Sequence, residues 1–162
     1  MHPALVLKLL LLLMLANGAP IVLKDVLGRR FAHPVDGGVV LGDGRPLFGQ
    51  SKTLRGISIA LIATTLGSVV LGLGWKIGLI ISAVAMAGDL CSSFVKRRLN
   101  VAPSGRATGL DQIPESLLPL LAVRSALSLS AWDILAGIGL FFVGELLLSI
   151  FFYRLHLRDH PY

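Results

Sequence analysis

Four long apolar runs and one interrupted run alternate with polar, glycine-rich stretches along the chain. From Pro3 to Leu23 only Lys8 and Asn17 break the apolar character, and about 20 such residues are what a helix needs to cross a ~30 Å hydrocarbon core. A cleavable signal peptide competes for this stretch, because Ala16-Asn17-Gly18-Ala19 offers small residues after an apolar run. The residues before the run carry no Lys or Arg, and apolar character resumes through Pro20 to Leu23, which favours a retained transmembrane helix. Ile57 to Leu73 is the second run, with Thr64, Thr65 and Gly67 as small residues suited to close helix packing. After a Gly72-Leu73-Gly74 turn, Trp75 and Lys76 anchor a third helix that continues into the stretch from Gly88 to Leu99. Ile113 to Leu127 is short and interrupted by Pro114, Glu115, Pro119 and Arg124, so it reads as a broken or tilted fourth helix or as a re-entrant segment. Trp132 to Tyr153, bracketed by aromatic residues, is a fifth helix. The pattern therefore predicts an all-α, polytopic membrane protein of about five transmembrane helices, with residues 1–162 as a single membrane-embedded domain and two polar loops forming the site.

Composition agrees with a membrane protein and narrows its partners. The chain is 54% hydrophobic and only 15% charged, with a mean hydropathy of +0.79, whereas a soluble domain carries about 25% charged residues. Its net charge of +6 comes with few aromatics and no nucleic-acid-binding motif, so nucleic acid is excluded in favour of anionic lipid head groups or a polyphosphate. A single cysteine, Cys91, rules out an intrachain disulfide framework and a multi-cysteine metal site.

The chemistry concentrates in two polar stretches. In Gly88 to Leu99, helical geometry puts Asp89, Ser92 or Ser93, Lys96 and Arg97 on one face, at spacings of three, four, seven and eight. Asp89 lies about 14 residues, hence about 21 Å, beyond Trp75, just inside the opposite membrane edge. An ionisable residue there is a functional candidate whose partner is a cation or a metal. Glu145 lies about 13 residues beyond Trp132, at a depth similar to that of Asp89, either facing the same cavity or hydrogen-bonded within the bundle for structural reasons.

The second stretch, Lys24 to Arg55, has no strong helical period and contains LGDGRPLFGQSKTLRG. Glycines there let backbone N–H groups approach a phosphate, Lys52 and Arg55 neutralise it, and Ser51 and Thr53 donate hydrogen bonds. The pattern is not a P-loop, because Gln50 stands where that motif requires Lys. A basic loop held at the membrane surface by anionic lipid explains the same residues equally well. Five spans put both polar loops and the C-terminal tail on one side with Lys24, Arg29, Arg30, Arg45, Lys52, Arg55, Lys96, Arg97, Arg98, Arg106, Arg154 and Arg158. That bias predicts a cytoplasmic site and an N-terminus outside.

Gly88-Asp89-Leu90, Ser93-Phe94, Lys96-Arg97-Arg98 and Leu110-Asp111-Gln112 resemble the signature of the CDP-archaeol synthase family, membrane cytidylyltransferases that activate an ether-lipid phosphate with CTP. Leu41-Gly42-Asp43-Gly44, with Ser51-Lys52-Thr53 and Arg55-Gly56, resembles that family's first cytoplasmic loop, and Ala16-Asn17 with Ala19-Pro20 is similar to the end of its first helix. One departure is the insertion of Arg45 to Ser51 between Gly-Asp-Gly and Lys-Thr. That longer form resembles the related phosphatidate cytidylyltransferases, so the resemblance leaves CDP-diacylglycerol as an alternative product.

The resemblance implies Asp89, Lys96 and Asp111 as catalytic residues, with Asp89 and Asp111 holding Mg²⁺. It implies Asp43, Ser51, Lys52, Thr53, Arg55, Ser93 and Arg97 as contacts to the substrates, CTP and a membrane lipid phosphate. A non-enzymatic reading, a small transporter or channel subunit with Asp89 and Glu145 along an ion path, is the rival from another class.

Overall fold

The computed structural model describes residues 2–28, 30–101 and 110–154. These form five helices: α1 (Pro3–Leu27), α2 (Leu54–Val70), α3 (Trp75–Arg98), α4 (Gln112–Ala122) and α5 (Ala131–Arg154). Among the described residues there is no β-strand, only isolated bridges between Pro34 and Thr53 and between Val40 and Pro46. The all-α membrane architecture expected from the hydropathy pattern is thus the one found. Arg29, Arg106, Arg158 and most of the C-terminal tail lie outside the described residues.

Helix limits follow local chemistry. Pro3 sits in the first turn of α1, where its missing N–H costs nothing, and the helix runs past Leu23 to Leu27, so that Lys24 lies in the last turn near the negative dipole end. Thr53 caps α2: its backbone is extended and its Oγ1 accepts from the Gly56 N–H at 3.2 Å. Thr53→Ala is expected to cost about 1 kcal/mol of stability, read as a lower thermal midpoint in detergent. An unchanged midpoint would remove the capping role.

The fourth helix is shorter than its apolar run, because α4 ends at Ala122 and the chain turns through 123–129. Val123 is fully buried and Leu129 is 4% exposed. These two side chains belong to the central cluster with Leu9, Leu12, Ile81 and Phe141, so the turn is anchored to the bundle through them. By length and hydropathy α1, α3 and α5 suffice to cross a membrane, while α2 has 17 residues and α4 has 11.

Contacts sort the helix ends. Lys8 Nζ in α1 donates to the Leu71 carbonyl at 2.7 Å, and the His2 N–H donates to Asp133 Oδ1 at 2.7 Å. The starts of α1 and α5 and the α2–α3 turn therefore share one end of the bundle. The opposite end gathers the 28–53 loop, the end of α3, the start of α4 and the end of α5.

Small residues allow the helices to approach this closely. An added Cβ on Gly78 of α3 would stand 2.5 Å from Ser68 Cβ and 2.7 Å from the Thr64 carbonyl oxygen of α2. Lipid chains offer no hydrophobic drive for helix association, so such contact supplies the attraction instead.

The loop over 30–53 is folded without a regular helix or strand around two side chains. The Asp36 carboxylate accepts N–H bonds from Phe48 at 2.9 Å, Gly49 at 3.2 Å and Gly38 at 3.0 Å. Burial by itself would raise the pKa of Asp36, but these N–H donors outweigh it and hold the carboxyl below its usual range. Arg98, at the end of α3, donates to Asp43 Oδ2 at 2.6 Å and to the Pro46 carbonyl at 2.6 Å, while the Arg45 guanidinium donates back to the Arg98 carbonyl. The loop is thereby fastened to the helix that carries Asp89.

Candidate active site

The polar face expected on α3 forms and points inward. Ser92, Ser93, Lys96 and Arg97 are all buried, and Asp89 is partly buried beside them. The five helices and the loop before α2 meet there around a cavity of about 440 Å³, within the ~300–1,000 Å³ range of small-molecule sites. Its walls include Asn17 and Pro20 of α1, Asp89 and Ser93 of α3, Asp111 and Glu115 at the start of α4, and Glu145 and Ser149 of α5. The loop contributes Ser51, Lys52 and Thr53, and Arg55 follows in the first turn of α2.

Two ion pairs dominate the cavity. Lys52 Nζ lies 2.5 Å from Asp89 Oδ1 and 2.6 Å from Oδ2, bridging the loop to α3. Lys96 Nζ donates to Asp111 Oδ2 at 2.9 Å, tying α3 to the start of α4. Asp111 Oδ1 is 2.8 Å from the same ammonium but outside hydrogen-bonding geometry, and it is buried with no hydrogen-bond partner among the described residues. A buried acceptor in that condition is a natural point for a ligand or ion to bind.

The remaining expected residues divide between the cavity and its scaffold. Ser93 Oγ is buried without a hydrogen-bond partner among the described residues, whereas Ser92 Oγ donates to the Asp89 carbonyl at 3.0 Å, so Ser93 is the hydroxyl left for a ligand. Arg97 donates to the Val101 carbonyl at 2.7 Å and keeps a buried, unpartnered Nε. Arg55 donates to the carbonyls of Arg30 and Gly28, closing the loop across its base. Asp43 does not line the cavity; its pairing with Arg98 holds the loop instead. Thr53 lines the cavity and also caps α2.

One acid was not singled out as a site residue by its position in the sequence. Glu115, read as an interruption of the fourth run, is 5% exposed and lines the cavity together with Asp89, Glu145 and Lys52. The signal was present in the spacing, since Asp111 and Glu115 stand four residues apart and so share a helical face. Glu145 itself lines the cavity, the first of the two alternatives that its position in the fifth run left open.

Comparison with known proteins identifies the family. The family model for CarS-like CDP-archaeol synthases matches residues 72–162. The CDP-archaeol synthase of Sulfurisphaera tokodaii is 34% identical over 155 residues, covering 92% of this chain and 90% of the relative. The chain belongs to the CDP-archaeol synthase family. The family's enzyme from Aeropyrum pernix is 41% identical over 125 residues, 74% of this chain and 68% of the relative. The one from Pyrococcus furiosus is 38% identical over 107 residues, 60% of each chain. A solved structure of an intramembrane enzyme for archaeal membrane lipids biosynthesis is 33% identical, covers 86% of this chain and 91% of that chain, and superposes with a TM-score of 0.67. At that identity and coverage the CDP-archaeol synthase resemblance read from Gly88 to Gln112 is borne out over most of the chain.

Proposed function

We propose that this chain is one membrane-embedded cytidylyltransferase domain that transfers CMP from CTP to an archaeal-type lipid phosphate, a 2,3-di-O-geranylgeranylglycerol phosphate or close analogue, releasing pyrophosphate. Family membership carries the reaction class. The observation that carries the site is the cavity at one end of the bundle, where two lysine–carboxylate pairs and apolar helix surface meet. A phosphate on a lipid and a nucleotide from water both need such a border.

The residues support a mechanism of positioning and charge neutralisation. Lys52 and Lys96 stand beside the cavity to neutralise phosphate oxygens, and Arg55 and Arg97 add charge on the same wall. The lipid phosphate oxygen attacks the α-phosphorus of CTP in line and expels pyrophosphate. A phosphate monoester is already ionised near pH 7, so no side chain has to act as general base. Ser93 Oγ and Arg97 Nε, both buried without hydrogen-bond partners among the described residues, are available to orient the substrates.

The donor set also suits Mg²⁺. That ion prefers hard oxygen ligands and usually takes one or two carboxylates together with substrate phosphates and water. Asp89 and Asp111 provide such oxygens on the cavity wall, and Asp111 Oδ1 is a buried acceptor without a hydrogen-bond partner among the described residues. When bound there, the ion would neutralise charge on the phosphate oxygens during transfer.

Lys24, Arg30, Arg45, Lys52, Arg55, Lys96, Arg97, Arg98 and Arg154 gather towards the site end of the bundle, which favours a cytoplasmic site with the N-terminus outside. The direct test is a substrate panel with the detergent-solubilised protein, labelled CTP and Mg²⁺, comparing a geranylgeranylated glycerol phosphate with phosphatidic acid. Labelled CDP-lipid and pyrophosphate are expected with the prenylated ether. Preference for phosphatidic acid would move the reading to CDP-diacylglycerol synthesis, and no consumption of CTP with either lipid would refute it.

A further inference from the structure

We infer that Lys52 is a tethered counter-cation that occupies Asp89 until a polyphosphate arrives, so that the site takes up its divalent cation together with the nucleotide and not before it. This rests on the cytidylyltransferase reading and concerns the order in which that site fills.

Four observations carry it. First, the ammonium of Lys52 meets both oxygens of Asp89, at 2.5 Å and 2.6 Å, so a second cation there competes with it. Lys96 donates to Asp111 Oδ2 at 2.9 Å and lies 2.8 Å from Oδ1, outside hydrogen-bonding geometry. Second, among the described residues no three carboxylate, imidazole or thiol groups are arranged to hold a metal ion. As it stands, Asp89 and Asp111 each already face an ammonium group.

Third, the acids crowd. Glu115 and Glu145 line the same cavity as Asp89. Lys52 supplies a cation beside Asp89 in the substrate-free protein. Fourth, Lys52 is built to let go without disturbing the loop. Its N–H donates to the Gly49 carbonyl at 3.2 Å, and its carbonyl accepts from the Val35 N–H at 2.8 Å. The backbone is pinned on both sides while the ammonium rides on a flexible four-carbon stem.

A triphosphate changes the balance. It brings several negative charges into reach of Lys52 and Lys96, and both ammonium groups gain partners at least as good as the carboxylates they leave. Asp89 and Asp111 are then free to bind a metal at the moment its other ligands, the phosphate oxygens, are present. Linkage makes the effect reciprocal: the factor by which nucleotide tightens the metal equals the factor by which metal tightens the nucleotide.

The test uses Mn²⁺ as the probe, followed by electron paramagnetic resonance on the full-length protein in detergent without lipid, so that no turnover occurs. The wild type is expected to bind Mn²⁺ weakly alone and about tenfold or more tighter with CTP, after correction for Mn²⁺ held by free CTP. Lys52→Met is expected to bind Mn²⁺ about tenfold tighter than wild type without nucleotide. The added substitution Asp89→Asn should remove that gain. A Lys52→Met protein whose nucleotide-free Mn²⁺ affinity equals or falls below that of the wild type overturns the inference. Should Lys52→Met fail to fold, the wild type decides, because equal Mn²⁺ affinity with and without CTP overturns it as well. A wild type that couples Mn²⁺ to CTP but transfers no CMP would sink the functional reading instead, which keeps the two failures apart.

Discussion

Asp89→Asn is expected to lower CMP transfer by about 10²–10³-fold while the helix bundle stays folded. The substitution keeps the shape of the side chain and removes its charge. Both Lys52 contacts, at 2.5 Å and 2.6 Å, then become contacts to a neutral amide, and the charged oxygen that would steady a cation on the phosphates is gone. Under the proposed mechanism of positioning and charge stabilisation, such a loss falls on the transition state more than on binding, and kcat should drop more than KM rises. Labelled CTP with a geranylgeranylated glycerol phosphate measures the rate, and a thermal midpoint in detergent monitors the fold. Transfer within a few-fold of wild type would remove Asp89 from the reaction. Combining Asp89→Asn with Lys52→Met should cost less than the sum of the two changes, because the residues share one interaction.

Gly88→Ala carries the second large effect, through a residue with no chemistry of its own. A methyl group at Gly88 would lie 2.6 Å from the Pro114 carbonyl oxygen, 2.8 Å from its carbon and 3.2 Å from the Glu115 nitrogen. These are backbone atoms, which cannot rotate away as a side chain does. The start of α4 must move, at a cost of about 1–3 kcal/mol for overpacking. That segment carries Asp111 and Glu115, and displacement of reacting groups by about 1 Å costs on the order of 10²-fold in rate. The expected result is therefore a lower thermal midpoint together with about 10²-fold slower transfer. Gly139→Ala on α5, where an added methyl meets nothing within 4 Å, serves as the control and should leave both unchanged. If the two variants behave alike, the Gly88 contact does not position the site.

These two residues mark how far the sequence could be read. Asp89 was legible because an acid near a membrane edge, with Ser93, Lys96 and Arg97 at helical spacings, has few bland explanations. Gly88 was visible as part of a motif, but not as the contact surface for Pro114, because an approach between backbones separated in sequence leaves no periodic signature. Glu115 was passed over for a related reason: in an interrupted apolar run the acid reads as a defect until α4 is seen to deliver it to the cavity that Asp89 also lines. Asp43 was grouped with the phosphate-binding residues by its motif, and it pairs with Arg98 away from the cavity walls.

The helices belong to the first kind of information and the site to the second. Hydropathy runs about as long as a bilayer is thick, broken by glycine turns and charged loops, determine α3 and α5 to within a residue at each end, and α1 apart from its last turn beyond Leu23. The 3.6-residue period determines which polar groups on α3 share a face. Both are local properties of the chain, and local patterns survive in a one-dimensional record. Only the tertiary structure decided that Lys52 reaches Asp89, that Lys96 rather than another cation holds Asp111, and that Glu115 and Glu145 close the same cavity. Those pairings depend on how the helices cross and on a loop pinned by Asp36 and Arg98. They follow from packing of distant segments, for which no short spacing stands in.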